Sequence, residues 1–289
     1  MRAFALILIT ASLFAAGEST YVTSIKNWRK EREEKLRAPA GWLTVAGLFW
    51  LKEGENRAGS DPSSEIVLPD KRSPQKLGVF DFHNERTTFR AAPGAHVTVN
   101  GKAVTTAELA PDSSGHPDML QSGDLTMFVI KRGPKYGIRL RDVHSSMRET
   151  FHGLDWYPVK AEYRIVANFT SHPKPATIPI PNILGQTEQE PSPGYATFQL
   201  AGKTYRLDPV LEGDRLFFIF RDATSGRSTY GAGRFLYTDL AKDGKLVLDF
   251  NKAENPPCAF TPYATCPLPP KQNRLSATIE AGEKKYGDH

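Results

Sequence analysis

Short runs of β-branched, aromatic and aliphatic residues make up most of this chain. They recur from residue 41 to residue 250, in segments such as LGVFDF, HVTVNGKAV, YGIRLRD, YATFQLAGKTYRL and DRLFFIF, with Gly, Pro, Asn or Asp between them. Turn residues about every ten positions indicate short strands joined into sandwiches or barrels. The sequence therefore predicts a mainly β protein with two β-sandwich-like or barrel-like lobes.

Asn100-Gly101 is the strongest hairpin signal, because both residues accept the positive φ that a type I′ turn requires. The segments 200–203 and 241–244 predict two further hairpin tips. The segment DVHSSMRETFHGLD has the composition of a connector, so we expect one lobe over residues 40–150 and a second over residues 151–289.

The first residues, MRAFALILITASLFAAG, combine a basic start, an apolar run and a small-residue exit. This arrangement predicts a signal peptide over residues 1–17 and therefore an exported protein, periplasmic or secreted. The apolar run is shorter than the roughly 20 residues that a membrane span needs, and no later segment approaches that length.

Residues 18–39 predict a helix that Ser19 or Thr20 caps, that Pro39 ends, and that carries an apolar stripe of Ile25, Trp28 and Leu36. The run WRKEREEKLR mixes charges at i, i+4 spacing and indicates a solvated helix face with internal ion pairs. The net charge of +5 at pH 7 is small for 289 residues and includes no basic cluster with interleaved aromatic residues. We therefore expect no nucleic-acid partner.

The segment DFNKAENPPCAFTPYATCPLPP, residues 249–270, contains both cysteines of the chain and has no periodicity. In an oxidising compartment Cys258 and Cys266 favour a disulfide, with a pair of buried thiols as the alternative. No His lies nearby to complete a zinc site, and the sequence predicts no metal and no cofactor.

Five residues are candidates for ligand binding. Asp222 and Arg234 lie in FRDATSGRSTYGAGRF, which is either a ligand-facing Gly-rich loop or a long β-hairpin whose Asp222 and Thr224 hold a turn. Asp249 and Asn251 share a face at the end of an apolar strand, where they either orient a polar substrate or bond loop backbone groups. Arg139 lies on a strand face with Arg141, which is either part of a site or solvated.

Residues 51–130 resemble forkhead-associated domains in their strand order, with VNGKAV and LQSGDLTMFVI in matching places. The chain departs from that family where phosphothreonine is bound. Ser60 stands after Gly59 where the family has Arg, and KRSPQKLG replaces its Ser-Arg-x-x-His-like turn. The resemblance implies a β-sandwich without phosphopeptide binding.

A second resemblance covers nearly the whole chain after residue 17. The segments GWLTVAGLFWL, GIRLRD, FHGLDWYPV, FRDATSGRSTYGAGRFLY, DFNKAENPPCAFTPYATCPLPP and IEAGEK are together similar to the bacterial family known as domain of unknown function 1684. Glu254 departs from the family pattern, which has an aromatic residue before NPPCAF. The resemblance implies membership and no established activity.

These observations predict an exported protein that binds a small polar or anionic ligand between two β lobes. Two alternatives stay open. One is a hydrolase or lyase acting on a carbohydrate or ester, with Asp249 or Asp222 as base and an Arg as electrostatic stabiliser. The other is an envelope scaffold without a ligand. The sequence leaves the oligomeric state open.

Overall fold

The computed structural model describes residues 3–287, with side chains from residue 19 onward. The predicted signal peptide, residues 1–17, lies outside the residues whose side chains are described. The chain divides into two compact units. The N-terminal unit contains Leu36–Phe151 and Thr261–Ala264, and the C-terminal unit contains the residues up to Lys35, His152–Phe260 and those from Thr265 on.

The N-terminal unit is a β-sandwich. One sheet has the order β1-β11-β10-β9-β6-β7 and the other has the order β3-β2-β4-β5-β8. Their facing side chains form one core, to which Phe80 and Phe89 contribute from one sheet and Met127 and Ile138 from the other. The elements are β1 (Val45–Trp50), β2 (Gly54–Gly59), β3 (Ile66–Val67), β4 (Gly78–His83), β5 (Arg86–Ala91), β6 (Thr98–Val99), β7 (Lys102–Ala103), β8 (Thr106–Leu109), β9 (Leu120–Ser122), β10 (Leu125–Arg132), β11 (Lys135–Asp142) and the short helix α2 (Ser146–Glu149).

The C-terminal unit has a four-stranded sheet of order β14-β13-β12-β18 and a three-stranded sheet of order β15-β16-β17. Phe198 and Leu248 from the first sheet share a core with Phe218 and Leu236 from the second. The strands are β12 (Arg164–Pro181), β13 (Thr187–Leu200), β14 (Lys203–Leu207), β15 (Val210–Glu212), β16 (Arg215–Phe220), β17 (Arg234–Asp239) and β18 (Lys245–Asp249). A mainly β architecture with two lobes and an N-terminal helix is therefore confirmed.

Helix α1 spans Ala3–Arg37 and ends before Pro39, as predicted. The predicted start with a cap at Ser19 or Thr20 was wrong, because the helical backbone continues through both residues. Ile25 is buried, and the Trp28 ring packs edge-on against Trp156, with 5.8 Å between ring centroids. Among the described residues, no helix is both long and apolar enough to cross a membrane.

The charge run of α1 is solvated on one side, where Lys30 Nζ lies 3.8 Å from Glu34 Oε1 at the predicted i, i+4 spacing. Its other side is partly buried, which the sequence did not predict. Arg29 donates to the carbonyl oxygen of Tyr157 at 3.0 Å, and Glu33 accepts from Trp156 Nε1 at 3.2 Å. Arg29 and Glu33 thus bond to residues 154–157 and not to each other, because their side of α1 packs on the rest of the C-terminal unit.

The predicted hairpin tips are confirmed. Val99 pairs with Lys102 across Asn100-Gly101, whose φ angles are 49° and 79°. The same left-handed backbone occurs at Ala201-Gly202 and Asp243-Gly244. These turns have the shape that a two-residue hairpin requires.

Candidate functional site

A polar cleft of about 620 Å³ opens on the C-terminal unit. Helix α1, strands β12, β16, β17 and β18, and the segment after β18 contribute its walls. Its lining residues are Trp28, Arg32, Lys35, Arg164, Arg215, Tyr237, Thr238, Asp239, Val247, Asp249, Lys252 and Glu254. We call this space the cleft.

Positive charge exceeds negative charge in the cleft, with five Lys or Arg side chains against three carboxylates. Arg32 forms an ion pair with Glu254, with 3.2 Å between Nε and Oε2. Among residues 19–287, no carboxylate oxygen lies within 4.0 Å of the charged nitrogens of the other four, which are Lys35, Arg164, Arg215 and Lys252. Four cationic groups therefore face the cleft without an ion-pair partner among residues 19–287.

Sheet register places two of the three arginines of the cleft. Arg164 on β12 lies opposite Asp249 on β18, and Arg215 on β16 lies opposite Asp239 on β17. The Arg164 guanidinium lies 5.7 Å from the centroid of the Tyr21 ring, and the Arg215 guanidinium lies 5.2 Å from that of Tyr237. Cation–π contact orients a guanidinium while its N–H donors stay available.

Asp249 and Asn251 lie together, as the sequence predicted. Asp249 Oδ1 accepts from the Tyr21 hydroxyl at 2.8 Å and from the backbone N–H of Asn251 at 3.2 Å. The Asn251 amide donates to Lys160 O at 2.8 Å and to the Tyr21 hydroxyl at 2.9 Å. Burial and the Asp249 carboxylate raise the pKa of Tyr21, so the phenol stays protonated. This cluster fastens α1 to β18 and satisfies loop backbone groups.

Asp222 and Arg234 form a second cluster, in which neither side chain is exposed. Arg234 Nη2 lies 3.2 Å from Asp222 Oδ1 and 3.0 Å from Ile279 O, and Nη1 donates to Ala281 O. Asp222 also accepts from the Thr224 hydroxyl at 2.9 Å. The segment FRDATSGRSTYGAGRF thus connects β16 to β17 in a hairpin, and Asp222 and Thr224 hold its turn.

Arg139 lies on β11 of the N-terminal unit and is buried. Its guanidinium lies 5.2 Å from the Trp42 ring centroid, and that of Arg141 lies 5.0 Å from Phe128. The prediction that this strand face is solvated was wrong, because an aromatic ring packs on each of the two guanidinium groups.

A cluster of Arg32, Glu254 and Glu283 adjoins the cleft. Arg32 Nε lies 3.0 Å from Glu283 Oε1, and Arg32 Nη2 donates to Asn255 O at 3.0 Å. Glu283 Oε2 accepts from the backbone N–H of Asn255 at 2.7 Å. Burial raises the pKa of Glu283 to about 7 and raises that of Glu254, although Arg32 opposes both shifts.

Cys258 and Cys266 are not joined by a disulfide in this structure. The backbone N–H of Cys258 donates to Cys266 Sγ at 3.1 Å, and the Tyr230 hydroxyl donates to Cys258 O at 3.1 Å. Hydrogen bonds from Cys266 and Tyr230 lower the pKa of the Cys258 thiol. The disulfide stays a prediction.

In the part of the chain that the structure describes, no group of three or more His, Cys, Asp or Glu side chains is arranged to hold a metal ion.

Most residues of the cleft were missed by the sequence reasoning. Arg32 had a detectable signal, since it lies seven positions after Ile25 and four before Leu36, on the buried stripe of α1. No local signal in the sequence marks Arg164, Arg215 or Glu283. Only strand register and the path of the C-terminal segment bring them to the cleft and the cluster beside it.

The family model described as protein of unknown function (DUF1684) matches residues 149–284. The solution NMR structure of an uncharacterised protein from Haloarcula marismortui is 31% identical, covers 49% of this chain and 81% of that chain, and has a TM-score of 0.42. No curated protein matches this chain.

Forkhead-associated (FHA) domains are also among the similar solved structures. One, from a study of phosphothreonine-dependent FHA interactions, is 18% identical and covers 32% of this chain and 92% of that chain, with a TM-score of 0.24. The FHA domain of FhaA is also 18% identical and covers 32% of this chain and 97% of that chain, with a TM-score of 0.24.

Proposed function

Because the chain belongs to DUF1684, a family of proteins of unknown function, we propose its function from its own side chains: it binds a small carboxylated or phosphorylated molecule in the cleft. One observation carries the proposal, namely the four cationic groups that face the cleft without a carboxylate partner in the part of the chain whose side chains are described. Unpaired cations in a concave site attract anions and supply charge-assisted hydrogen bonds.

The cleft has the size of a small-molecule site and an unusually polar lining. Its volume of about 620 Å³ lies within the range of roughly 300–1,000 Å³ that such sites occupy. Arg164 and Arg215 offer planar donors that suit carboxylate and phosphate oxygens, and Trp28 and Tyr237 offer ring surfaces for an apolar part of the ligand.

Of the five residues predicted to bind a ligand, Asp249 lines the cleft and Asn251 holds Asp249 in place. Arg139, Asp222 and Arg234 do not line the cleft, and their guanidinium and carboxylate groups are buried. Their roles in ligand binding stay predictions. A hydrolase with Asp249 as base is less well supported, because Asp249 Oδ1 already accepts hydrogen bonds from Tyr21 and Asn251.

Export remains part of the proposal and rests on the sequence of residues 1–17. In an oxidising compartment we expect Cys258 and Cys266 to form a disulfide. The contact of 3.1 Å between the Cys258 backbone N–H and Cys266 Sγ supports that pairing, because it brings the two residues together.

A thermal-shift screen of sulfate, organic acids, sugar phosphates and nucleotides tests the function. Ligand at 100 times its Kd stabilises a protein by about 2.7 kcal/mol, which raises Tm measurably. We expect Arg164→Gln and Arg215→Gln to reduce the shift. Arg274→Gln is the matched control, because Arg274 is exposed in the same unit and does not line the cleft. No shift with any anion, or equal shifts in all three variants and the unmodified protein, would refute the assignment.

A further inference from the structure

Glu254 and Glu283 compete for a single N–H group. Glu254 Oε2 lies 3.2 Å from Arg32 Nε, and Glu283 Oε1 lies 3.0 Å from the same nitrogen. Arg32 Nε carries one hydrogen, and it points to Glu283. With both carboxylates ionised, the cluster would carry one uncompensated negative charge in a site that is largely closed to water.

Glu283 is the member of the pair that is arranged to stay ionised. Its side chain is 0% exposed, and both of its oxygens accept hydrogen bonds, Oε1 from Arg32 Nε and Oε2 from the Asn255 backbone N–H. Hydrogen bonds to a carboxylate stabilise its ionised form.

Glu254 is the member that faces the ligand. It lines the cleft, its side chain is 18% exposed, and its carboxyl group accepts no hydrogen bond from any residue that the structure describes. A buried carboxyl group without donors is more stable when protonated. The proton of the pair therefore belongs on Glu254.

Charged and titratable groups surround the pair on every packed element. The groups that act on Glu254 are Arg32 and Lys35 of α1, Arg215 of β16 and Tyr237 of β17. The groups that act on Glu283 are Arg29 and Arg32 of α1, Arg234 of β17 and Glu254. The cations favour ionisation, whereas burial and mutual repulsion oppose it. Burial is the largest effect for both carboxyl groups and raises the pKa of each, that of Glu283 to about 7, so the pair keeps one shared proton near neutral pH.

We propose that Glu254 holds one proton near neutral pH and donates it in a hydrogen bond to the anion bound in the cleft, so that anion binding requires that proton. This rests on the proposed function. Loss of the proton replaces a donor with a negative charge beside the ligand. Above the pH at which the pair releases its proton, anion affinity falls by up to about tenfold for each pH unit.

Sulfate is the probe, because it stays a dianion over the whole pH range of the test. Its Kd is measured by calorimetry from about pH 5.5 to about pH 8.5 for four proteins: the unmodified chain, Glu254→Gln, Glu283→Gln and the control Glu280→Gln. Glu280 is exposed and outside the cleft. We expect a steep loss of affinity with pH in the unmodified chain and in the control.

Glu254→Gln and Glu283→Gln distinguish the effect of a proton on Glu254 from the effect of removing a negative charge. Glu254→Gln keeps a neutral donor, so we expect pH-independent binding about as tight as that of the unmodified chain at low pH. Glu283→Gln removes the repulsion that keeps Glu254 protonated, so we expect weaker binding than the unmodified chain at about pH 6. Equal tightening in both variants, or binding that does not change with pH in the unmodified chain, would overturn the proposal.

A titration without ligand completes the test. The ¹³Cδ shifts of Glu254 and Glu283 should report one proton released near neutral pH in the unmodified chain and none there in Glu283→Gln. If both carboxyl groups titrate at ordinary acidic pH, the shared proton is refuted even where sulfate binds. If the proton is present and sulfate does not bind, the proposed function fails and the coupling fails with it.

Discussion

Arg234 and Asp222 form an ion pair in which neither side chain is exposed. Arg234 also donates to the carbonyl oxygens of Ile279 and Ala281, and Asp222 Oδ2 accepts from the Ile279 N–H at 2.8 Å. The pair therefore fastens the segment 279–281 to the β16–β17 hairpin. Breaking such a pair leaves a buried charge without compensation.

Removal of the guanidinium should be strongly destabilising. We expect Arg234→Met, which keeps much of the side-chain volume, to lower the free energy of unfolding by about 3–5 kcal/mol. Urea unfolding measures the change. Arg274→Met is the control and should change stability by less than about 0.5 kcal/mol, because Arg274 is exposed. Equal stability of the two variants would contradict the structural role of Arg234.

The Tyr21 hydroxyl should contribute measurably to the attachment of α1. Tyr21→Phe keeps the ring and removes the hydrogen bond of 2.8 Å to Asp249, so we expect a loss of about 1.5–2 kcal/mol in urea unfolding. Tyr205→Phe is the matched control, since the Tyr205 ring packs on Phe198 and its hydroxyl has no side-chain partner among residues 19–287. A similar loss in both variants would show that the Asp249 bond is not the cause.

The sequence predicted the β architecture and the hairpin tips, because Asn-Gly, Ala-Gly and Asp-Gly tips encode their backbone shape locally. It also predicted that Asp249 and Asn251 lie together, since they are two positions apart in one segment. It did not predict the cleft. Arg164 meets Asp249 only through the pairing of β12 with β18, and Glu283 meets Arg32 across 251 positions. Contacts of such sequence separation carry no local signal.

Stability should fall as pH rises through neutrality. Burial raises the pKa of both Glu254 and Glu283, that of Glu283 to about 7 from an ordinary value of 4.5, so between these values the folded pair keeps one proton that the unfolded chain has released. The contribution of this pair to the free energy of unfolding is then highest below about pH 4.5. It is lower by about 3 kcal/mol at pH 8. Urea midpoints from pH 5 to pH 8 should show this slope, and Glu283→Gln should flatten it. An unchanged slope in Glu283→Gln would contradict the role of this carboxyl group.

Oxidation of the two cysteines is a separate prediction. Protein that is expressed with its signal peptide and alkylated without reductant should carry no label on Cys258 or Cys266, and intact mass measures the label. Closing so short a loop stabilises a protein by about 2.5 kcal/mol, so reduction should lower Tm. Labels on both cysteines in the folded, exported protein would refute the disulfide.

An anion bound at Arg164 and Arg215 should be visible by NMR of the arginine Nε–Hε groups during a sulfate titration. Charge-assisted hydrogen bonds to an anion shift the resonances of the donors that make them. We expect saturable shifts at Arg164 and Arg215, with the resonance of the exposed Arg274 unmoved. Shifts confined to arginines outside the cleft, or equal shifts at all exposed arginines without saturation, would contradict it.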